Sequence, residues 1–320
     1  MAIIEAHGLT RSFRSRKRTV AAVRGVDLSI EPGEIVGFLG PNGAGKTTTL
    51  RMLTTLLRPD SGTARIAGAD LLADPGGVRR RIGYVAQSGG TEAACRVGEE
   101  LMCQAELYRI PAAQARRRIE LLTEQLDLTD LGRRLVGTLS GGQRRRLDLA
   151  LGLVHAPQVV FLDEPTVGLD PHSRASLWEH IRRLRDELGT TIFLTTHYLD
   201  EADALCDRIL VIDDGRIVAE DTAEALKRQV SVDVITVEVD GGVDAAKAAL
   251  SALPQIREVA VPGENTLRLT VAHDDRVVAD VVMTLHGIGV VIRTLQFARA
   301  SLDDVFLTLT GRRPREDGAR

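Results

Sequence analysis

A chain of 320 residues is long enough for one well-buried core plus a second, smaller one. Its composition, 44% hydrophobic and 27% charged, is ordinary for a globular protein, and a net charge of -3 does not mark it as nucleic-acid binding. Its 3 cysteines include no C-x-x-C pair, which argues for a reducing compartment and against a disulfide framework or a structural zinc.

The first residues show no basic segment followed by an apolar one, so no signal peptide is expected. No run is long enough to cross a bilayer; the best, Val278 to Val291, is broken by Asp280 and His286. Ala2 to Ala6 predicts a short strand. Phe13 follows in a basic loop, Arg11 to Arg18, ahead of strand segments at Val20 to Val23 and Val26 to Ile30. Glu31-Pro32-Gly33-Glu34 is a turn signal. These pieces predict an antiparallel patch.

Ile35 to Leu39 predicts a buried strand and Thr48 to Leu57 a helix, with Leu50, Leu53, Leu56 and Leu57 inward. Between them stands Gly40-Pro41-Asn42-Gly43-Ala44-Gly45-Lys46-Thr47, the pattern G-x-x-x-x-G-K-[ST]. Strand, glycine-rich turn and helix start are the parts of a triphosphate cradle. Backbone N–H groups converge on the phosphates and the helix N-terminus adds positive potential. Lys46 brings a mobile charge to the terminal phosphates, and Thr47, followed by Thr48, offers a hydroxyl to Mg²⁺. With a nucleotide site in view, Phe13 becomes a candidate to stack on adenine, or else a residue of a small apolar cluster.

Short strands are expected at Thr63 to Ala67 and at Ile82 to Ala86, with Gln87 just past the second. From 95 to 131 the period turns helical, through Leu101, Leu107, Ile119, Leu122, Leu126 and Leu128, with Pro111 separating two helices. Leu139-Ser140-Gly141-Gly142-Gln143 opens another helix, with the Ser140–Gln143 spacing of a capping box. Such a helix start serves as an ordinary cap or as a second place for an anion.

Gln158 to Leu162, apolar after its first residue, predicts a strand with Asp163-Glu164 at its carboxyl end, where open α/β sheets bind ligands. Asp163 suits a Mg²⁺-bound water network, and Glu164 suits a general base aimed at a water near a γ-phosphate. Pro165 to Pro171 is a tight loop before a helix with Leu177, Trp178, Ile181 and Leu184 as its apolar stripe. Thr191 to Thr195 predicts the next strand, and His197 just past it could reach the same site. Asp213-Asp214-Gly215-Arg216 is a hairpin signal. From 232 the order becomes strand, helix, strand, strand, helix, strand, the split βαβ pattern, followed by a helix at Leu302 to Leu309. Asp274-Asp275 and Asp303-Asp304 are expected as caps or first-turn acids.

Across residues 1–222 the chain resembles an ATP-binding cassette (ABC) ATPase. Walker A is Gly40 to Thr47, the glutamine loop Gln87, the signature Leu139 to Gln143, Walker B Val159 to Asp163 with Glu164, the D-loop Gly168 to Asp170, and the switch histidine His197. Leu56 to Gly62, Thr196 to Asp203 and Ser301 to Phe306 resemble the daunorubicin-resistance type of exporter ATPase. The resemblance implies an α/β P-loop fold of the ABC type with an antiparallel β patch, an inserted helical subdomain at about 91–138 and, after a linker at 223–231, a small α+β accessory domain at 232–311. Residues 312–320 are expected as a loose charged tail.

The same resemblance implies roles. Gln87 would sense Mg²⁺ and the attacking water and couple to a membrane partner. Ser140, Gly141, Gly142 and Gln143 would close on ATP held by another protomer, and Asp170 would act across that interface. His197 would hold the γ-phosphate and orient Glu164 and water. The expected partners are a second copy or a similar ATPase and a separately encoded permease at the cytoplasmic face of the membrane, with export of an antibiotic or other hydrophobic compound. Nucleic acid is not expected. An ABC ATPase acting on nucleic acid or the ribosome is the rival class, and a ligand-regulated C-terminal domain is a further option. One stretch, Glu92 to Glu100, departs from the Leu-Thr-Gly-Arg-Glu-Asn-like segment of drug-exporting relatives.

Overall fold

The computed structural model describes residues 1–15, 18–230, 233–271, 276–298 and 301–310. The expectations for Asp274-Asp275 and for 312–320 lie outside the described residues. The chain divides into two units, Met1–Ala223 and a second that begins at Glu224.

The first unit opens with β1 (Ile4–Ser15) and β2 (Arg18–Ile30), an antiparallel pair. Phe13 therefore lies in a strand, opposite Val20, and not in a loop. The segments expected at 20–23 and 26–30 are one strand, because pairing with β1 continues through register shifts that place an extra residue once in β1 and twice in β2. All of β3 (Ile35–Leu39) is buried. Helix α1 (Lys46–Leu53) is shorter than its apolar period suggests. Thr55 takes φ +62° and turns the chain out, so Leu56 is 58% exposed while Leu57 still packs on the core. Strands β4 (Ser61–Ile66) and β5 (Ala69–Asp70) complete a four-stranded antiparallel sheet, ordered β2-β1-β4-β5.

Asp74 caps α2 (Pro75–Arg81) by accepting a 2.7 Å bond from the Gly77 N–H, and β6 (Ile82–Val85) follows. Helices α3 (Val97–Leu107) and α4 (Ala112–Gln125) form the expected helical insertion. Leu101, Leu122, Leu126 and Leu128 are fully buried there, but Leu107, at the end of its helix, is 73% exposed. Then come α5 (Gly141–Leu153), β7 (Val159–Asp163) and α6 (Pro171–Leu188), which Gly189 ends in the left-handed region. The unit closes with β8 (Thr191–Thr196), α7 (Leu199–Leu205), β9 (Arg208–Asp213) and β10 (Arg216–Asp221).

The second sheet is ordered β10-β9-β3-β8-β7-β6, parallel except for β10 at its edge. Every residue of β3, β7 and β8 is buried, as a parallel sheet covered on both faces requires. Phe38, Phe161 and Phe193 pack at its centre, with ring centroids 5.4 and 5.7 Å apart along the row. Burial of each ring contributes about 1.5–3 kcal/mol. The register sets Leu39 beside Thr196, Asp163 beside Thr195 and Val85 beside Leu162. The carboxyl ends of four strands therefore open on one edge.

The segment read as a linker is instead mostly helical, α8 (Ala223–Val230), with Leu226 buried. The second unit continues as β11 (Asp233–Val239), α9 (Val243–Ser251), β12 (Ile256–Gly263), β13 (Thr266–Val271), α10 (Val277–Gly287), β14 (Ile292–Ala298) and α11 (Leu302–Thr310). Its sheet is ordered β12-β13-β11-β14 with every neighbour antiparallel, the topology of the split βαβ pattern. Ile235, Val237, Leu250, Leu269, Val281 and Leu285 form its core. Asp304 reaches back to the Ser301 N–H at 3.1 Å, the capping role expected of it. No helix among the described residues is long and apolar enough to cross a membrane. Cys95, Cys103 and Cys206 are unbridged.

Candidate functional site

The edge where the parallel strands end carries a cleft of about 440 Å³. Phe13, Ala22, Asn42, Gly43, Gly45, Lys46, Thr47, Thr48, Gln87, Glu164, Val167 and His197 line it. Its floor is the loop between β3 and α1. A Cβ at Gly40 would stand 2.4 Å from the Ile212 carbonyl oxygen, and one at Gly45 would stand 2.5 Å from that of Ala22. Gly45 also takes φ +109°, which side chains rarely adopt. Glycine is thus demanded here by packing as well as by conformation.

Lys46 is 4% exposed and donates to the Gly40 carbonyl at 2.7 Å. Its Nζ lies 3.5 Å from Oε1 of Glu164. Burial pushes the ammonium pKa down, while Glu164 and Asp163 act the other way. Thr47 donates to Oδ1 of Asp163 at 3.2 Å, and Thr195 donates to the same oxygen at 2.7 Å. That Thr195 hydroxyl also accepts from the backbone N–H of Glu164 at 3.0 Å.

Glu164 is the centre of the cluster. Gln87 donates to its Oε2 at 2.9 Å, and Nδ1 of His197 lies 3.2 Å from its Oε1. Burial alone would raise the carboxyl pKa. His197 and Lys46 outweigh it and hold the group below the usual range, so it is an anion at neutral pH. An ionised carboxylate only accepts, so Nδ1 of His197 carries a proton. The other ring nitrogen, Nε2, is buried without a partner in the wall of the same cleft. Glu164 also takes φ +45°, a conformation that costs a non-glycine residue about 1–3 kcal/mol and persists only where neighbours enforce it.

The family model described as ABC transporter matches residues 23–167. The daunorubicin resistance ATP-binding protein DrrA2 of Streptomyces coeruleorubidus is 44% identical over 306 residues, covering 93% of each chain. This chain belongs to the ABC transporter ATP-binding proteins. The daunorubicin/doxorubicin resistance ATP-binding protein DrrA of Streptomyces peucetius is 41% identical, over 96% of this chain and 92% of its own. An ATP-binding cassette solved as a dimer in a post-hydrolysis state with ADP and Pi matches with a TM-score of 0.62 at 25% identity, over 68% of this chain and 98% of its own.

This ABC protein binds ATP, and its catalytic activity is an ATPase coupled to transport. A nucleotide fits the cleft: the glycine loop leaves backbone where side chains cannot stand, and an orphaned His197 nitrogen and a buried Lys46 converge on the space. Of the residues expected at the site, Pro41 supplies a 3.3 Å acceptor to Lys46, Ala44 is buried beneath the loop, and Asp163 lies under Thr47. Ser140, Gly141, Gly142, Gln143 and Asp170 are not among the cleft's lining residues. Ser140 and Gln143 form the expected capping box at α5. Asp170 caps α6 through Ser173, at 2.9 Å to its N–H and 2.6 Å to its hydroxyl. The two helix starts are neighbours, since a Cβ on Gly142 would meet the Ser173 hydroxyl at 3.2 Å.

Two polar residues of the site escaped the sequence. Thr195 sits two positions before His197, and alignment of strand ends could have found it. Arg145, which stays outside the cleft and donates to the Asp163 carbonyl at 3.2 Å, lies in an arginine-rich helix start, where nothing local distinguishes it from its neighbours.

Proposed function

We propose that this ABC ATPase powers a separately encoded permease, as a peripheral subunit at the cytoplasmic membrane face, for export of an antibiotic or other hydrophobic compound. The names of the similar DrrA proteins, daunorubicin and doxorubicin resistance, support the cargo class. They favour transport over a role on nucleic acid, as does the net charge of -3.

One observation carries the catalytic reading: Lys46, Gln87 and His197 all converge on Glu164 at the wall of the cleft. Glu164 accepts a proton from water in line with the γ-phosphate, which its anionic state permits. Lys46 and the loop N–H groups hold the triphosphate and offset charge on the transferring oxygens. Nε2 of His197 faces the terminal phosphate, with Nδ1 held by Glu164. Phe13 stacks on the adenine. When bound, Mg²⁺ would offset negative charge on the triphosphate. Thr47, Asp163 and Gln87 are the residues that would hold it, the Thr47 hydroxyl lying on Oδ1 of Asp163 and Gln87 lining the cleft.

The signature residues start a capped helix outside the cleft of their own chain. We infer that they close on the nucleotide of a second copy, or of a similar ATPase, and that Asp170 lies at that junction. The dimeric state of the similar ADP-bound cassette supports this. Glu164→Gln should keep ATP binding, lose nearly all turnover and accumulate dimer. Normal turnover in that variant would remove Glu164 from its role. Pull-down from membranes should recover an integral permease.

A further inference from the structure

We propose that Arg145 is the positioning residue that ties the signature helix to both groups acting on the attacking water. It rests on the catalytic reading above. Arg145 stands four residues into α5 and is almost fully buried. Its guanidinium does not enter the cleft. It donates instead to three carbonyl oxygens: Pro165 at 2.7 Å, Ala86 at 2.6 Å and Asp163 at 3.2 Å.

The positions of those carbonyls matter. Ala86 immediately precedes Gln87. Asp163 and Pro165 are the residues on either side of Glu164. One side chain therefore clamps the chain before Gln87 and on both sides of Glu164. That clamp supplies a reason for the φ of +45° at Glu164, which needs neighbours to enforce it. Only a guanidinium suits the task, because its planar fork presents five N–H donors in fixed directions.

The link to α5 is equally direct. Asp148, one turn further along, lies 3.8 Å from the Arg145 guanidinium. The glutamine loop rides on that pair: a Cβ on Gly89 would stand 2.8 Å from the Asp148 carboxylate. The helix whose first turn carries the signature thus holds Gln87 and Glu164 through one buried cation. A shift of α5 when its first turn meets a nucleotide is carried to both.

The test uses the full chain and measures nucleotide-induced thermal shift, KM and kcat for Arg145→Gln, Arg145→Lys, Gln87→Ala and the double variant Arg145→Gln/Gln87→Ala. Arg145→Gln should leave the thermal shift unchanged and KM within about twofold, while kcat falls at least about tenfold. Arg145→Lys, with one point charge in place of the fork, should recover only part of the loss. The double variant should be no slower than the slower single variant, within about threefold, because both changes act on the same water geometry. A folded Arg145→Gln with unchanged kcat overturns the proposal. So does a loss that multiplies with that of Gln87→Ala, or a parallel loss of nucleotide binding. If Arg145→Gln does not fold, Arg145→Lys is judged by the same criteria. Glu164→Gln is the control: should it turn over normally, the catalytic reading fails; should it be inactive while Arg145→Gln is normal, only the Arg145 proposal fails.

Discussion

The side-chain amide of Gln87 donates a 2.9 Å hydrogen bond to Oε2 of Glu164, joining two residues 77 apart in sequence. One follows β6 and the other follows β7, and the parallel register of those strands brings them together. Removal of the amide frees one carboxylate oxygen and loosens the aim of the carboxylate proposed as the base, without touching the glycine loop. Gln87→Ala should therefore lower kcat by about tenfold or more with KM nearly unchanged, in steady-state ATP hydrolysis.

Gly45→Ala attacks the cradle itself. The new methyl would sit 2.5 Å from the Ala22 carbonyl, on a backbone at φ +109°. Relief requires the loop to move away from β2. The expected outcome is a stability loss of about 1–3 kcal/mol or more, with ATP binding abolished. Chemical denaturation and nucleotide titration read the two effects separately.

Phe13 is 44% exposed, with the Arg11 guanidinium 5.4 Å from its ring centre. An exposed ring in the cleft wall contributes little to folding and is free to meet a base. Phe13→Ala should weaken ATP binding by about 5- to 30-fold, the worth of one stacking contact of about 1–2 kcal/mol, with little change in thermal stability. Unchanged affinity would return Phe13 to a packing role.

Asp148 supplies a pH signature. Burial pushes its carboxyl up to about 6, against the opposing pull of Arg145 and Arg144. A folded-state pKa above the unfolded value means that the folded protein binds the proton more tightly. The cost of the buried anion is then full above about pH 6 and vanishes as pH falls below the unfolded value of about 4. Asp148→Asn, which mimics the protonated form, should be more stable than the parent at pH 7 by about 2–3 kcal/mol, and the difference should disappear near pH 4. Denaturant unfolding of both proteins across that range measures it.

Much of the site was legible before any coordinates, because its parts are local. A glycine pattern between an apolar strand and a helix, an acidic pair at a strand end and a Ser–Gln capping box are each written within a few residues. The same locality explains the misses. Leu56 and Leu107 continue a helical period, but the chain turns at Thr55 and the last turn of α3 leaves the core, so both side chains face solvent. The linker expectation at 223–231 missed that Ala223–Val230 is helical, with Leu226 buried. Asp170 was expected only as a residue of a protomer junction; its cap on α6 and the nearness of that helix start to the signature helix come from the fold.

By itself the sequence determined the buried parallel strands, the glycine loop, the acidic strand end and the split βαβ order of the second unit, because periodicity and turn chemistry act over a few residues, while the extent of β1 and β2 was set by their pairing. Only the tertiary structure decided that Gln87, Glu164, His197 and Lys46 share one carboxylate, that Thr195 joins Asp163 to the Glu164 backbone, and that Arg145 braces them from behind. Those contacts depend on which parallel strands lie side by side and in what register. That choice is made by burial of the whole sheet between its helices, and no short stretch of chain encodes it.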